Sequence, residues 1–494
     1  MFHSRLFIFA LSFTLVFFVG CSGAGDAQKQ FYTGDLTLAY AENLTNFSPL
    51  TYEAKNRRVL ANLYEPLVRF DKNFRLTSAL ALSWGRLSDT EWEFHLREGV
   101  SFHDGTDFST KDVLYSLNLA RESHSDLAAL LETIINVEAI DAFTFRITTS
   151  KPDPLLLNKL TTVYMVPQYY ESWVLPVGTG PYAFAGIKGR GLLLQRFDEY
   201  WGPLAYFKDV YLNVIPNPQE RVEGVLDESV HFLVNVPPGD VETLRQAGVQ
   251  VQSFPALEVS FLVLNQKESL QNVSLRKAID LALSAAYAEQ FGGGYLKETS
   301  QLAASGIEGY VPDWPERTVD LEQARALRAE FPQELELTLD VPQGLKSLGE
   351  QVALDLAQIN IRVVVNELNI KDYEAKIQSG ASEFYFFGWK YDLGDVADFY
   401  GSVLHSPEGD LGNFNAFGYK NPEVDALIKK ADETLDEVAR RAILQDIARL
   451  VQQDHVVLPL FEAQVLYGIR PELLWDIRLD GQIFASEITG NVVE

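Results

Sequence analysis

The stretch that decides the fold is TEWEFHLREGVSFHDGTDFSTKDVLYS, which runs from Thr90 to Ser116. Its first part, Glu91–Arg97, alternates polar and apolar side chains, and this pattern predicts a strand with one buried face. The sequence His103-Asp104-Gly105-Thr106 predicts a turn, because Asp and Gly favour turn conformations. Ser109-Thr110-Lys111-Asp112 then predicts the start of a helix, with an acid in the first turn where the helix dipole favours it.

Strands and helices continue to alternate on both sides of this stretch. Further strands are predicted at Asp35–Tyr40, Phe143–Thr148, Leu192–Arg196, Val259–Leu264, Leu335–Asp340, Ile361–Leu368 and Val456–Phe461. Further helices are predicted at Ala54–Leu67, Leu275–Leu283, Ser347–Gln358, Asn421–Asp432 and Asp436–Asp454. This order indicates an α/β or α+β protein with more than one lobe. A lobe boundary is predicted near Phe254–Glu258.

The composition limits the possible partners of the chain. It has 494 residues, of which 47% are hydrophobic, so it can bury a sizeable core. Its formal charge of −27 would be repelled by phosphate backbones and by anionic lipids, which argues against nucleic acid and against a polybasic membrane contact.

The single cysteine, Cys21, excludes a disulfide framework, a Cys-rich zinc site and a CxxC redox pair. It follows a mostly apolar run, Leu6–Val19, whose length of about 21 Å is too short to span a bilayer. Residues 1–20 are therefore predicted to be a secretory signal. Phe18-Val19-Gly20-Cys21 resembles the lipobox of bacterial lipoproteins, which implies a lipidated Cys21 followed by a polar tether over 21–30. The alternative is an ordinary signal peptide that leaves an incidental thiol.

The sequence offers little support for catalysis. It contains no GxSxG elbow, no P-loop and no HExxH pattern among its seven histidines. Carboxylate pairs are too common in so acidic a chain for any one of them to indicate a glycosidase. We therefore predict a protein that is not an enzyme, with no catalytic residues, no metal site and no cofactor.

Seven segments together resemble one family. They are Thr90–Ser116, NLYEPLVRFD at Asn62–Asp71, LALSW at Leu80–Trp84, GTGPY at Gly178–Tyr182, DEYWG at Asp198–Gly202, FLVLNQ with SLRKAIDLAL at Phe261–Leu283, and GYKNPEVDALIKKA at Gly418–Ala431. Taken in chain order, from about residue 62 to 431, they resemble the bacterial extracellular solute-binding proteins of the peptide and nickel group. These proteins, which include the oligopeptide- and dipeptide-binding proteins, capture ligands for ABC importers.

The resemblance implies an α/β, two-lobed periplasmic-binding-protein fold with hinge strands and an extra subdomain in lobe I. Lobe I would hold residues 31–256, with the subdomain at 65–165, and lobe II would hold residues 257–464. Residues 465–494 would return to lobe I. Such lobes close over a ligand by hinge motion.

The resemblance also implies a ligand site. In peptide-binding members an aspartate just after a Gly-Trp pair holds the free amine of the ligand, and Asp392 occupies that position in Gly388-Trp389-Lys390-Tyr391-Asp392. The peptide backbone would lie beside Gly388–Lys390 and beside Tyr52-Glu53-Ala54-Lys55, as an added strand does. The predicted ligand contacts are Asp392, Trp389, Gly388, Lys390, Tyr391, Glu53, Ala54 and Lys55.

The chain departs from the family pattern on the C-terminal side of the peptide. Phe386 stands where an arginine would be favourable, and Ala463 stands where a tyrosine could bind. Family members that bind nickel chelates, haem or oligosaccharides share the scaffold, so these ligands remain alternatives.

The implied function is that of a lipid-anchored, exported subunit of an ABC importer, located in the periplasm or at the cell surface. It would be a monomer that captures short peptides and delivers them to permease and ATPase subunits. The alternative to uptake is a surface receptor or adhesion lipoprotein on the same scaffold.

Overall fold

A computed structural model describes residues 34–42, 46–122, 126–168, 170, 175–331 and 334–490. The predicted signal segment, Cys21 and the tether over 21–30 lie outside the described residues.

The strands fall into one large sheet and three small ones. In chain order they are β1 Asp35–Tyr40, β2 Val68–Phe70, β3 Leu76–Ser78, β4 Ala81–Arg86, β5 Glu91–Leu96, β6 Ile134–Ala139, β7 Thr144–Thr149, β8 Tyr182–Lys188, β9 Gly191–Arg196, β10 Asp209–Val214, β11 Phe232–Val234, β12 Gln250–Leu264, β13 Leu296–Glu298, β14 Leu335–Pro342, β15 Ile361–Leu368, β16 Phe384–Lys390, β17 Val457–Ile469, β18 Leu473–Leu474 and β19 Thr489–Gly490.

The helices cover the faces of these sheets. They are α1 Ala54–Leu60, α2 Thr110–Glu122, α3 Asp126–Leu130, α4 Leu156–Leu160, α5 Pro218–Leu226, α6 Val241–Gln246, α7 Val273–Ala282, α8 Tyr287–Phe291, α9 Leu321–Arg328, α10 Lys346–Ala357, α11 Ile370–Gln378, α12 Ala397–Phe399, α13 Pro422–Glu433 and α14 Glu437–Asp454. Single turns of other helix types occur at Pro238–Asp240, Glu268–Gln271, Tyr400–Leu404 and Ala485–Glu487.

The stretch from Thr90 to Ser116 folds as its pattern predicts. In β5 the side chains of Phe94 and Leu96 are buried, whereas His95 between them is exposed. Gly105 adopts a φ of 83° in the following turn, a value that favours glycine. Asp112 then accepts a 2.8 Å hydrogen bond from the Ser109 amide at the start of α2, as a capping box does.

The large sheet has the order β15-β14-β16-β12-β17-β11-β1-β10-β9-β8, with β13 paired to β17. We call the part that contains β1 and β8–β11 lobe I, and the part that contains β14–β16 lobe II. The molecule therefore has the predicted α/β architecture with a sheet that extends through both lobes.

The antiparallel pair of β12 and β17 runs through both lobes. Residues 250–255 pair with residues 464–469 beside lobe I, and residues 259–263 pair with residues 457–462 beside lobe II. The register shifts between Pro255 and Val259, and Leu257 there has a φ of 54°. This irregularity lies within the two strands rather than in a loop.

A separate sheet of order β4-β5-β7-β6 packs on α2 and has its own core. The buried residues of this core extend from Leu67 to Met165.

The tail of the chain packs into the core of lobe I. Ile483 and Ile488 are buried there together with Leu36 of β1. The buried side chain of Asn62 donates a 3.1 Å hydrogen bond to the Ile483 carbonyl and accepts a 2.7 Å bond from the Ala485 amide. Residues near both ends of the chain are therefore joined in one core.

The helix predicted at Ala54–Leu67 is shorter in the structure and ends at Leu60. The segment that follows pairs with other parts of lobe I, since the Gly180 amide donates to the Leu63 carbonyl at 2.9 Å and Pro66 bridges to Tyr164. These tertiary contacts override an apolar pattern that alone would continue the helix.

A search of the described residues for a helix long and apolar enough to cross a membrane found none.

Candidate functional site

A cavity lies between the two lobes. Its lobe II wall is formed by Leu257, Lys390 and Asp392. The rest of the wall comes from Tyr52, from α1 and the segment that leads to the β2–β3 hairpin, from residues 161–164, from Pro181 and Tyr200, and from the C-terminal tail: Tyr52, Ala54, Arg57, Ala61, Tyr64, Glu65, Pro66, Arg69, Phe70, Phe74, Thr161, Thr162, Tyr164, Pro181, Tyr200, Arg478, Asp480, Gln482, Phe484 and Ser486.

The lobes touch each other beside this cavity. The Asn158 side chain donates a 2.7 Å hydrogen bond to the Leu393 carbonyl across the cleft. A Cβ atom added to Gly394 would lie 3.0 Å from the ring of Phe74, so the tip of the β2–β3 hairpin rests directly on lobe II. The two lobes are therefore in direct contact on this side of the cavity.

Asp392 presents its carboxylate at the lobe II wall, where the Lys390 ammonium binds it at 2.7 Å. The Asp392 side chain is 40% exposed, whereas that of Lys390 is 23% exposed. Charge-assisted hydrogen bonds between ammonium and carboxylate groups are among the stronger polar contacts in proteins. In the structure the Asp392 carboxylate is thus paired with the ammonium of a neighbouring lysine.

More carboxylates lie behind Asp392. Burial raises the pKa of Asp398 to about 6, and the charges of Asp392 and Asp395 add to this effect. The ammonium of Lys159 acts in the opposite direction and lowers the same pKa. The negative charges of Asp392 and Asp395 therefore act on the buried Asp398 carboxyl, although Asp392 is paired with Lys390 and Asp395 with Arg440.

The main chain that leads to Asp392 has an open edge. The Tyr391 amide donates to the Leu257 carbonyl at 2.9 Å, and the Asn265 amide donates to the Glu383 carbonyl at 2.9 Å. Because hydrogen-bonded positions alternate along an antiparallel pair, the odd-numbered residues of β16 face β12, and the even-numbered residues direct their amides and carbonyls away from it.

On that outer side β14 pairs with β16 only at Phe384 and Tyr385. The Phe386 carbonyl accepts a hydrogen bond from the Tyr373 hydroxyl. Among the described strands none pairs with the outer side of Gly388 or Lys390, so their main-chain groups are available to an added strand.

A second, mainly apolar cavity adjoins this open edge. It is lined by Gly388 and by side chains from β16, α11 and the nearby loops, including Leu345, Ile370, Phe386, Phe387 and Phe414. Ile370 is 61% exposed and Phe414 is 48% exposed, which is unusual for large apolar side chains.

Glu258 links the two cavities. It lines the apolar one and lies near Lys390 of the other. Burial raises the pKa of the Glu258 carboxyl, while the Lys390 ammonium lowers it and Asp392 raises it further.

The structure brings together only some of the predicted ligand contacts. Lys390, Asp392 and Ala54 line the central cavity, and Gly388 lies on the adjoining one. Glu53 and Lys55 do not line either cavity and form a 3.2 Å ion pair with each other beside α1.

Two further predicted contacts pack against the core of lobe II, Trp389 partly buried and Tyr391 fully buried. Trp389 packs edge-on against Phe399 and Phe414, with ring centroids 5.8 Å and 5.6 Å apart. Tyr391 is fully buried, and its hydroxyl donates to the Leu302 carbonyl. Both side chains therefore hold the Gly388–Asp392 segment in place rather than line the cavity.

Sequence reasoning missed the cationic residues of the lobe I wall. Arg57 donates a 2.6 Å bond to the Thr162 carbonyl and lies 4.6 Å above the Tyr164 ring, and Arg478 is held by a 2.7 Å contact to Asp480. Arg57 is close in sequence to the predicted Tyr52–Lys55 segment, and this proximity was the one available signal. No local pattern indicates that the tail reaches the cleft.

The described residues contain no group of three or more His, Cys, Asp or Glu side chains that could hold a metal ion.

Comparison with known proteins identifies the scaffold. The family model of the bacterial extracellular solute-binding proteins, family 5 middle, matches residues 75–410. The glutathione-binding protein GsiB of Escherichia coli is 24% identical, with 90% of this chain and 91% of GsiB covered. The heme-binding protein A of Haemophilus influenzae is also 24% identical, with 83% of this chain and 82% of that protein covered.

Solved structures give the same fold. HbpA2 from Haemophilus parasuis matches with a TM-score of 0.84 at 18% identity, covering 93% of this chain and 100% of HbpA2. The periplasmic binding protein DppA from Helicobacter pylori, in complex with the peptide STSA, matches with a TM-score of 0.77 at 23% identity, covering 94% of this chain and 99% of DppA. With the family model matched over more than half of its length, the chain belongs to family 5 of the bacterial extracellular solute-binding proteins.

Proposed function

We propose that this protein captures short peptides that carry a free amino group, with the amine on Asp392 and the backbone beside Gly388–Lys390. Family 5 proteins are substrate-binding proteins of ABC importers that take up peptides or related ligands, and the relatives of the chain are solute-binding proteins rather than enzymes. The choice of a peptide and the role of each residue are our inference.

The observation that carries this proposal is the open edge of β16 that ends at Asp392. A peptide added as a strand would bind the outward amides and carbonyls of Gly388 and Lys390. Its first residue would then reach the Asp392 carboxylate, two residues farther along. Main-chain pairing of this kind gives affinity without demanding particular side chains.

The apolar cavity beside Gly388 supports the same arrangement. A strand beside Gly388 would direct alternate side chains toward this cavity, where Ile370 and Phe414 expose apolar surface. Burial of such surface by a ligand side chain would contribute about 25 cal/mol per Å². Peptides with an apolar side chain at that position are therefore the expected ligands.

Closure of the lobes would use β12 and β17. The register shift between Pro255 and Val259 interrupts the ladder between the two lobes, and we place the hinge there. Lobe I is proposed at 31–256, with its subdomain at 65–165 and a return at 465–494, and lobe II at 257–464.

The test is calorimetric titration of the purified protein with trialanine and with N-acetyl-trialanine. We expect acetylation to weaken binding ~10- to 100-fold, because it removes the ammonium group and a charge-assisted hydrogen bond is worth ~1.5–3 kcal/mol. Asp392→Asn should weaken binding of trialanine by a similar factor and leave the acetylated peptide unaffected.

The matched control is Asp89→Asn, which removes an equal charge from the exposed β4–β5 turn, outside the lining of both cavities. If acetylation and Asp392→Asn both leave the affinity unchanged, the amine site is refuted. If the mature protein instead copurifies with haem, an oligosaccharide or a metal chelate, a non-peptide ligand is favoured.

The cellular role is proposed as delivery of the peptide to a permease and its ATPase, from an anchor on lipidated Cys21. A deletion strain that loses uptake of a labelled peptide supports delivery. Unchanged uptake with lost adhesion or signalling favours a surface receptor.

Mass spectrometry of the mature N-terminus tests the lipid on Cys21, and Cys21→Ser should release the protein from membranes.

A further inference from the structure

Lys390 lies between two carboxylates of lobe II. Its ammonium binds Asp392 at 2.7 Å, two residues farther along the chain. The other carboxylate belongs to Glu258, which lies directly opposite Lys390 where β12 pairs with β16. Because the hydrogen-bonded pair is the adjacent one, Leu257 with Tyr391, Glu258 and Lys390 form a non-hydrogen-bonded pair, in which the side chains are closest. Both carboxylates are therefore within reach of one lysine side chain.

The Glu258 carboxylate is the member of this set without a bonded partner. In the described part of the chain it forms no hydrogen bond and no ion pair. It lies over Gly388 instead, since a Cβ atom added to that glycine would be 2.9 Å from the Glu258 Oε1 atom. Burial raises the pKa of the Glu258 carboxyl, and the Lys390 ammonium lowers it. A half-buried carboxylate of this kind gains from a bonded cation, because its charge has lost part of its hydration.

The side chains of Lys390 and Glu258 are turned in opposite directions along β16. That of Lys390 is directed toward Asp392, beyond the C-terminal end of the strand, whereas that of Glu258 leans toward Gly388 on the N-terminal side. Rotation about side-chain bonds alone would bring the ammonium to the Glu258 carboxylate. Lys390 is 23% exposed and lines the central cavity, so it has room for such a rotation.

We propose that Lys390 exchanges Asp392 for Glu258 when the ammonium group of a ligand binds. This inference rests on the proposed function, in which Asp392 holds the amine. Without a ligand, the Lys390 ammonium occupies the position that the amine would take, and Glu258 receives Lys390 when the amine displaces it. Glu258 is then a positioning residue, because it acts on the ligand through Lys390.

The exchange determines which chemical group the site accepts. Asp392, Glu258 and Lys390 provide two carboxylates and one ammonium, which leaves a net charge of −1. A ligand ammonium gives each carboxylate one cation and makes the set neutral. An amide or a hydroxyl would displace Lys390 from Asp392 without replacing its charge, and an uncompensated carboxylate in a partly buried site is costly. The site therefore selects ligands that bring one ammonium group.

The test is a double-mutant cycle of Glu258→Gln and Lys390→Met, in which each purified protein is titrated with trialanine by calorimetry. With Lys390 present, Glu258→Gln should weaken binding ~3- to 5-fold, because the displaced lysine no longer finds a carboxylate and a partly exposed ion pair is worth up to about that factor. In the Lys390→Met background the same substitution should change the affinity less than about twofold, since no lysine has to be received.

A second ligand and two further variants separate this role from a structural one. N-acetyl-trialanine leaves Lys390 on Asp392, so Glu258→Gln should not change its affinity. Glu258→Asp keeps the charge and should retain part of the affinity for trialanine. Glu98→Gln, at an exposed position after β5 that lines neither cavity, should bind trialanine as the wild type does.

The proposal is overturned if Glu258→Gln weakens binding of trialanine equally with and without Lys390, because Glu258 would then act on the ligand directly. Equal weakening of trialanine and its acetylated form, or no effect on either, overturns it as well.

These outcomes are distinct from failure of the amine site. If acetylation weakens binding to the wild type while the cycle shows no coupling between Glu258 and Lys390, the Asp392 site holds and the exchange fails. If neither acetylation nor Asp392→Asn changes the affinity, the amine site fails and the exchange fails with it.

Discussion

Asp398 makes the stability of the protein depend on pH, and its replacement by asparagine tests the electrostatics of lobe II. Burial, with the charges of Asp392 and Asp395, raises the pKa of Asp398 from 3.8 to about 6. At ~1.36 kcal/mol per unit, ionising this carboxyl costs the folded protein up to about 3 kcal/mol. Asparagine keeps the size of the side chain and removes the charge.

The sign of the effect follows from proton binding. Between pH 4 and pH 6 the folded protein holds the Asp398 proton more tightly than the unfolded chain, so stability falls as the pH rises through this range. Above pH 6 the full cost remains, and below pH 4 it vanishes. Asp398→Asn should therefore be more stable than the wild type at pH 7.5, by up to about 3 kcal/mol, and equally stable near pH 4.

The assay is urea denaturation of the full chain at pH 4, 5, 6 and 7.5, followed by fluorescence and circular dichroism. Other carboxyls titrate in both proteins, so the difference in unfolding free energy isolates Asp398. Asp89→Asn, on the exposed β4–β5 turn, should give no pH-dependent difference. The reasoning is refuted if the difference is the same at pH 4 and pH 7.5, or if the wild type is the more stable protein at pH 7.5.

Three further predictions concern the same region. Lys390→Met should strengthen binding of amine-bearing peptides up to about fivefold, as measured by calorimetry. The reason is that the ligand must displace the partly exposed ion pair of Lys390 with Asp392, which is worth about 0–1 kcal/mol. Weaker binding would show that Lys390 contacts the ligand directly. Arg440→Met should lower the unfolding free energy by about 3–5 kcal/mol in urea, since it leaves the buried Asp395 carboxylate unpaired, whereas Arg441→Met at its exposed pair with Glu308 should cost less than about 1 kcal/mol; equal losses would contradict this. Binding of trialanine at pH 6 should release part of a proton, since an ammonium at Asp392 lowers the pKa of Asp398, and calorimetry in buffers of different protonation enthalpy should detect a release that N-acetyl-trialanine does not cause.

The local pattern of polar and apolar residues was enough to predict the strands in which each face keeps the same surroundings along its whole length. β1 and β15 begin and end where their patterns predict, at Asp35–Tyr40 and Ile361–Leu368. The two strands that connect the lobes are longer than predicted. For β12 the apolar pattern predicts a start at Val259, because polar residues and Pro255 interrupt the apolar run before it, but the strand begins at Gln250. In β17, Glu462 and Gln464 interrupt the apolar run in the same way, but the strand continues to Ile469. Polar side chains are tolerated there because these strands pass from one core to another beside the cleft.

The site was predictable only where one short segment carries it. Asp392 follows a recognisable Gly-Trp pair, and the structure has it on the cavity wall. Trp389 and Tyr391 share that motif, yet alternation along β16 turns them into the core of lobe II. Arg69 and Arg478 reach the cavity through contacts between segments some 400 residues apart, such as the 2.7 Å bond from Arg478 to the Phe70 carbonyl, and no local pattern reports such a contact.

The joining of the two chain ends in lobe I determines when that lobe can be completed during synthesis. Asn62 bonds to Ile483, 421 residues later, whereas β12 and β17, which frame lobe II, are both complete once Ile469 has been made. Lobe II therefore needs no residue after Ile469 to pair its strands. β1 is among the first described residues to be synthesised, but its core also contains Ile483 and Ile488, which are among the last. Its apolar side chains stay accessible throughout that interval, so we expect chaperones to bind this first strand rather than lobe II.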